Sequence, residues 1–170
     1  MGRRIARVGL LTGLSLIMFL VEGLFPPMVV PGARLGLGNI FIMMILLCFS
    51  YGEALLAVAG KSLLSAIFIG NLSAALYSLP AGVAAISVSY LLVRALSKRI
   101  SLFSVGVVSA TVHNLVQLLV FSLVTKTAKV MLYAPYLTFL GLIAGCVTGL
   151  ATHYLLVYGR KFILTENKKA

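Results

Sequence analysis

The run YLTFLGLIAGCVTGLATHYLLVYG, residues 136–159, decides the class of fold. It contains no Asp, Glu, Lys or Arg, and it exceeds the roughly 20 residues that a helix needs to cross a hydrocarbon core. The whole chain has the same character, because 61% of its 170 residues are hydrophobic and its mean hydropathy is +1.13. A soluble domain of this composition would lack the polar surface to cover itself. The sequence therefore predicts an integral membrane protein.

Five more apolar stretches precede this run, separated by short segments that carry Gly, Pro or charged residues. We interpret the chain as one transmembrane domain over residues 1–170, all-α, with six transmembrane helices. The expected helices cover about 6–25, 37–51, 53–70, 73–96, 102–124 and 133–158.

The net charge of +11 comes from basic residues at the ends of the apolar stretches, not from a clustered patch of the kind that binds nucleic acid. With both termini inside, the cytoplasmic segments hold Arg3, Arg4, Arg7, Arg94, Lys98, Arg99, Arg160, Lys161, Lys168 and Lys169. The outer loops then hold only Arg34, Lys126 and Lys129. The positive-inside rule therefore predicts an N-in, C-in topology in a bacterial plasma membrane.

Acidic residues are almost absent, which excludes several classes of enzyme. There is no aspartate, and the glutamates are Glu22, Glu53 and Glu166. Enzymes that use magnesium pyrophosphate need clustered carboxylates, and no P-loop motif is present. Cys48 and Cys146 lie in separate apolar stretches and are interpreted as packing residues. We expect no catalytic site, metal site or cofactor.

Lys61 lies near the middle of the third predicted helix, too deep to reach water easily. Ionisable residues inside a membrane usually face a cavity or each other. Lys61 is therefore a candidate ligand-binding residue. Alternatively, it forms a structural charge pair with Glu22, near the outer end of the first helix.

The segment HNLVQL, residues 113–118, places three polar side chains in the middle of the fifth helix. His113 and Gln117 share a face, with Asn114 about 100° further round. These side chains either tie the helix to its neighbours or present hydrogen bonds to a ligand. His113 has no nearby metal ligands in the sequence, so a metal site is not expected.

Two outer segments supply further candidate ligand-binding residues. Asn71, Tyr77 and Ser78 lie near the ends of the third and fourth helices, above Pro80, although Tyr77 also suits an interfacial aromatic belt. The loop PGARLGLGN, residues 31–39, supplies Arg34, which could instead anchor to lipid phosphate, and Asn39, which could cap the second helix. Helix N-termini attract anions, so this loop suits an anionic group. Together these residues predict a pocket open to the outside and closed toward the cytoplasm.

Glycines spaced four apart let helices approach closely in lipid. Gly141, Gly145 and Gly149 are interpreted as an internal packing face. Gly9 and Gly13, on the first helix, serve either internal packing or docking of a partner protein.

The segments PGARLGLGN, YSLPAG and HNLVQL resemble the Gx transporter family, also described as heptaprenyl diphosphate synthase component I. The resemblance extends from Gly9 to about Tyr158. Lys61 departs from it, because an arginine is expected there, and lysine lacks the planar bidentate fork. A chain without aspartate does not fit a prenyl synthase catalyst.

That family is similar to the substrate-binding S components of energy-coupling factor (ECF) importers. The resemblance implies six helices, a first loop that closes over an outward-facing ligand, and Gly9 and Gly13 docked on a transmembrane coupling subunit driven by two ATPase subunits. The expected function is capture of a small, anionic vitamin-like or precursor-like solute. The alternative is a non-catalytic membrane partner in isoprenoid or menaquinone metabolism, or in flavin-based extracellular electron transfer.

Overall fold

The computed structural model describes residues 2–24, 36–70, 72–96 and 99–164, and almost all of these residues are helical. The six α-helices are α1 (Gly2–Glu22), α2 (Leu37–Cys48), α3 (Tyr51–Ile69), α4 (Leu72–Leu96), α5 (Leu102–Thr125) and α6 (Ala134–Leu164). A short 3-10 helix, Ala128–Tyr133, precedes α6. The predicted all-α architecture is confirmed, and most boundaries differ from the prediction by a few residues.

Five of these helices are long and apolar enough to cross a membrane, and α2 is the exception. Its 12 residues span about 18 Å, well short of a hydrocarbon core of about 30 Å. The helix predicted over 37–51 was too long. It ends at Cys48, because Phe49 leaves helical geometry and Ser50 is the N-cap of α3.

The short helix α2 lies at the centre of the bundle. It contacts α1, α3, α4 and α6, and its side chains from Ile42 to Leu46 are all buried. It approaches α1 closely, where the Ser15 hydroxyl donates a hydrogen bond to the Gly38 carbonyl at 2.6 Å. A Cβ at Gly38 would lie 2.6 Å from the Ser15 carbonyl oxygen, so this crossing requires glycine. Because protein surrounds α2 on several sides, its length is not set by the lipid.

Serine side chains fix the starts of two helices. Ser50 caps α3 by accepting a hydrogen bond from the Glu53 amide at 3.3 Å, and its hydroxyl donates to the Glu53 carboxylate at 2.7 Å. Ser101 accepts from the Ser104 amide at 3.1 Å at the start of α5. Gly70 ends α3 in the left-handed conformation that glycine adopts without strain.

Contacts between helices define two ends of the bundle. At the first end, both guanidinium nitrogens of Arg4 that face Glu53 lie 2.7 Å from its carboxylate oxygens. The Tyr51 ring stacks on Tyr90 at 4.7 Å, so the C-terminal half of α4 lies at the same end. At the opposite end, Glu22 contacts the start of α2. We call these the Arg4 end and the Glu22 end.

Helices α5 and α6 pack through glycine, as the spacing on α6 predicted. A Cβ added at Gly106 would lie 2.7 Å from the Gly145 carbonyl oxygen, and one at Gly149 would lie 2.8 Å from the Phe103 Cα. A Cβ at Gly141 would lie 3.0 Å from the Thr111 Cα. Backbone meets backbone along this contact, so the interpretation of this glycine face as internal packing is confirmed.

We expect Gly145→Ala to lower the melting temperature by about 2–10 °C, because overpacking a tight contact costs about 1–3 kcal/mol. The new Cβ would overlap the Val107 backbone, which cannot move without shifting α5. Thermal unfolding followed by circular dichroism in detergent measures the change. Gly159→Ala on the same helix is the control, because a Cβ there meets nothing within 4 Å. Equal melting temperatures for the two variants would contradict the packing assignment.

Candidate ligand site

A cavity of about 550 Å³ lies inside the helix bundle. This volume is in the range of small-molecule sites. All six α-helices and the 3-10 helix contribute to its wall. Eight of the residues singled out in the sequence line it, namely Glu22, Asn39, Lys61, Tyr77, Ser78, His113, Asn114 and Gln117. The fold therefore brings together side chains from α1 to α5 that are far apart in the sequence.

Lys61 is buried on α3, and only 6% of its surface is exposed. Its ammonium donates a hydrogen bond to the Asn39 side-chain oxygen on α2 at 2.8 Å. The same nitrogen lies 5.6 Å from the centroid of the Phe19 ring, which is within range of a cation–π contact. The Lys61 ammonium thus lies beside the Asn39 amide and the Phe19 ring in the cavity wall.

Glu22 holds the start of α2. Its carboxylate oxygens accept hydrogen bonds from the Gly36 amide at 2.7 Å and the Leu37 amide at 3.2 Å. The expectation that Asn39 caps this helix is wrong. The N-cap residue is Gly36, which makes no side-chain cap, and the Asn39 side-chain oxygen accepts a hydrogen bond from Lys61. The carboxylate suits this place because the N-terminus of a helix carries partial positive charge.

The polar side chains of HNLVQL on α5 differ in their contacts. The Asn114 side chain donates to the Leu137 carbonyl on α6 at 3.2 Å, so it ties the two helices together while it lines the cavity. His113 and Gln117 line the cavity one turn apart. Asn114 therefore supports the structural interpretation of HNLVQL, and hydrogen bonding of His113 and Gln117 to a ligand stays a prediction.

On α4, Tyr77 faces the bundle. Its ring makes an edge contact with Phe121 at 5.3 Å between centroids, and both residues line the cavity. The Ser78 hydroxyl is buried and has no hydrogen-bond partner within the described residues. Helix α4 runs continuously through Pro80 just beyond them.

Of the four other candidates, two fall outside the described residues and two lie on α1. Arg34 and Asn71 fall outside the described residues. Gly9 and Gly13 are on α1, away from the cavity wall, and a Cβ at either position would meet nothing within 4 Å. Their face of α1 is therefore open.

Sequence reasoning missed the part of the wall nearer the Arg4 end. The sequence predicted a pocket only in the half of the bundle nearer the Glu22 end. The cavity also reaches the other half, where Gly82, Gly106, Thr148 and Thr152 line it. The spacing of residues along α5 and α6 could have indicated this part of the wall. Lining residues recur every four positions on α5 and α6, in the series 106, 110, 114 and 118, the series 109, 113, 117 and 121, and the series 144, 148 and 152. Residues four apart share a helix face, so small side chains in such a series indicate a wall.

Within the described residues, no group of three or more His, Cys, Asp or Glu side chains is placed to hold a metal ion. The chemistry of the wall is hydrogen bonding around one buried ammonium and one buried carboxylate, with apolar surface beyond.

The apolar helices and the cavity between them define a multi-pass helical membrane protein with room for a small molecule. A protein-family model for heptaprenyl diphosphate synthase component I matches residues 11–155. The chain therefore belongs to this family, as its resemblance to the Gx transporter family predicted. No curated protein matches the chain, and neither does any solved structure.

We expect Glu22→Gln to speed hydrogen exchange at the Gly36 and Leu37 amides by about 5–30-fold. The carboxamide keeps one acceptor oxygen and loses the charge, a loss of about 1–2 kcal/mol for a helix cap. Hydrogen–deuterium exchange with mass spectrometry measures it on peptides that cover the start of α2. Glu53→Gln is the control, because Glu53 lies at the Arg4 end and contacts neither amide. Unchanged exchange in Glu22→Gln would show that the carboxylate is not the cap.

Proposed function

We propose that the chain is the membrane-embedded, substrate-binding S subunit of an ECF-type ABC importer, which captures a small anionic solute from outside the cell. The observation that carries the proposal is the buried Lys61 ammonium in the wall of the cavity, beside Asn39. A buried ammonium is costly in a membrane, and an anionic ligand beside it would add favourable charge-assisted hydrogen bonds. The proposed role is binding without catalysis.

The electrostatics of the Glu22 end support an anionic ligand in a specific way. The first amides of α2 are already bonded to Glu22, so they are not the binding groups for the anion. Among the described residues, Lys61 supplies a positive charge to the cavity wall. The hydrogen-bonding side chains of Asn39, His113 and Gln117 lie in the same cavity. A carboxylate or phosphate at this end would gain charge-assisted hydrogen bonds.

The proposed topology has six crossings, both termini in the cytoplasm and the Glu22 end outside, in a bacterial plasma membrane. The bias of basic residues toward the terminal segments supports it. Arg4 and Arg94 also lie at one end of the bundle, near the stacked pair Tyr51 and Tyr90. In this arrangement α2 forms the short central segment of the second crossing.

The proposed partners are a transmembrane coupling subunit and two ATPase subunits. Gly9 and Gly13 support a docking role for α1, because they leave a smooth, open strip on a helix that packs mainly on α2 and α3. Close approach of another helix needs such a strip. The same helix carries Glu22 at its other end, so α1 connects the docking strip to the cavity wall.

We expect Lys61→Ala to weaken binding of the co-purifying anion at least tenfold while the protein stays folded. Native mass spectrometry of protein purified in mild detergent identifies the bound species and its occupancy, and thermal unfolding verifies the fold. The same loss is expected for Arg34→Ala if the loop contacts the anion. Lys126→Ala, at the C-terminal end of α5, is the control for loss of a positive charge. Unchanged affinity in folded Lys61→Ala and Arg34→Ala variants would contradict the site.

We expect Gly9→Leu combined with Gly13→Leu to abolish co-purification with the coupling subunit and leave anion binding unchanged. The side chains fit in open space on this protein but would separate the two helix backbones in a complex. Affinity capture from membranes that contain the coupling and ATPase subunits is the measurement. Gly159→Leu is the control, since its position on α6 is equally open. Retained capture by the double variant would place the partner elsewhere.

A further inference from the structure

We propose that the ligand of this cavity is an amphiphile, with an anionic head at Lys61 and a slender apolar tail that extends toward the Arg4 end. The inference rests on the proposed function and narrows it to one class of substrate. It comes from the length of the cavity, the chemistry of its far half and the size of the side chains there.

The cavity is long for a compact, water-soluble solute. Its lining residues on α5 extend from Gly106 to Phe121, and those on α6 extend from Leu137 to Thr152. Each interval covers about 22 Å along a helix at 1.5 Å per residue. His113 and Gln117 belong to the half nearer the Glu22 end, so about half of this length lies beyond the polar groups.

The far half of the cavity presents mainly carbon atoms to a ligand, although it contains hydroxyl groups. Ser109 donates its hydroxyl to the Ala85 carbonyl at 3.3 Å, and Thr148 donates to the Gly145 carbonyl at 3.2 Å. These donors are used within the protein, so a ligand meets mainly their carbon atoms. Ile42 and Val58 contribute hydrocarbon one turn beyond Asn39 and Lys61.

The side chains of the far half are small. Gly82, Gly106, Ala110 and Ala144 line it from three helices. Ala110 and Ala144 leave open volume that larger residues would fill. A Cβ at Gly82 or Gly106 would instead meet Val58 or the backbone of α6, so these glycines let the helices approach closely around that volume. A tail that enters must therefore be narrow, such as a linear alkyl or isoprenoid chain. Burial of each methylene there favours binding.

The test is a chain-length series of n-alkyl phosphates, methyl, butyl, hexyl and octyl, with the matching n-alkyl carboxylates in parallel. Binding is measured with the full chain in lipid nanodiscs, and empty nanodiscs correct for partition into lipid. We expect affinity in at least one series to rise about two- to fourfold for each added methylene. We expect Lys61→Met to weaken every member of that series at least tenfold.

Ala110→Leu fills the proposed tail half and should lower affinity for the octyl compound at least tenfold while affinity for the methyl compound is unchanged. Ala95→Leu, on the exposed last turn of α4, is the matched control and should change neither. Ala110→Val repeats the test with less bulk if the leucine variant unfolds.

The outcomes separate this inference from the proposed function. Affinity independent of chain length, with methyl phosphate or acetate binding that still requires Lys61, would overturn the tail and keep the anion site. A rise with chain length that Ala110→Leu leaves intact would also overturn the tail assignment. Failure of every member of both series to bind would overturn both proposals.

Discussion

The contact of Glu22 with the start of α2 is the constraint on which the site depends. The first amides of a helix have no acceptors within the helix and need other partners. Glu22 supplies two acceptors, at 2.7 and 3.2 Å from the Gly36 and Leu37 nitrogens. This contact fixes the end of α1 against α2 and places Asn39 opposite Lys61. The Glu22 carboxylate thus contacts the first amides of α2, and the Lys61 ammonium contacts Asn39 shortly after them.

Close helix packing and open volume coexist along α5, where Gly106 and Asn114 contact α6 and also line the cavity. Gly106, Gly145 and Gly149 let the backbones of α5 and α6 meet, which anchors one side of the bundle without large side chains. The neighbouring positions on α5 then face the interior as two stripes of lining residues. Asn114 belongs to both systems, since it lines the cavity and donates to the Leu137 carbonyl. Tight contact at the glycines therefore keeps the cavity wall in place.

The cavity has a chemical gradient along its length. Charge and hydrogen-bonding groups are concentrated near the Glu22 end. The remainder is lined mainly by small and apolar side chains, and the hydroxyls of Ser109 and Thr148 there donate to backbone carbonyls. Such a gradient suits a ligand with two chemically different parts. It also connects the two functions considered for the chain, because a binding subunit with this cavity could take up an amphiphilic precursor without performing any reaction on it.

The sequence alone determined the class, the helices and many wall residues. Long uncharged stretches such as 136–159 allow few alternatives in lipid, and polar residues such as Lys61 and His113 are too costly there to be incidental. The spacing of Gly141, Gly145 and Gly149 was sufficient to predict a packing face, because residues four apart must share a side of a helix. These features depend on local composition and periodicity.

Only the tertiary structure decided which partners these residues have. The sequence indicated a capping role for Asn39, whereas the fold places Glu22 at the start of α2 and Asn39 beside Lys61. The shortness of α2 and the extension of the cavity to Thr152 were equally invisible, because both depend on how distant helices surround one another. Periodicity identifies a face of a helix, but the element opposite that face is set by the packing of the whole chain.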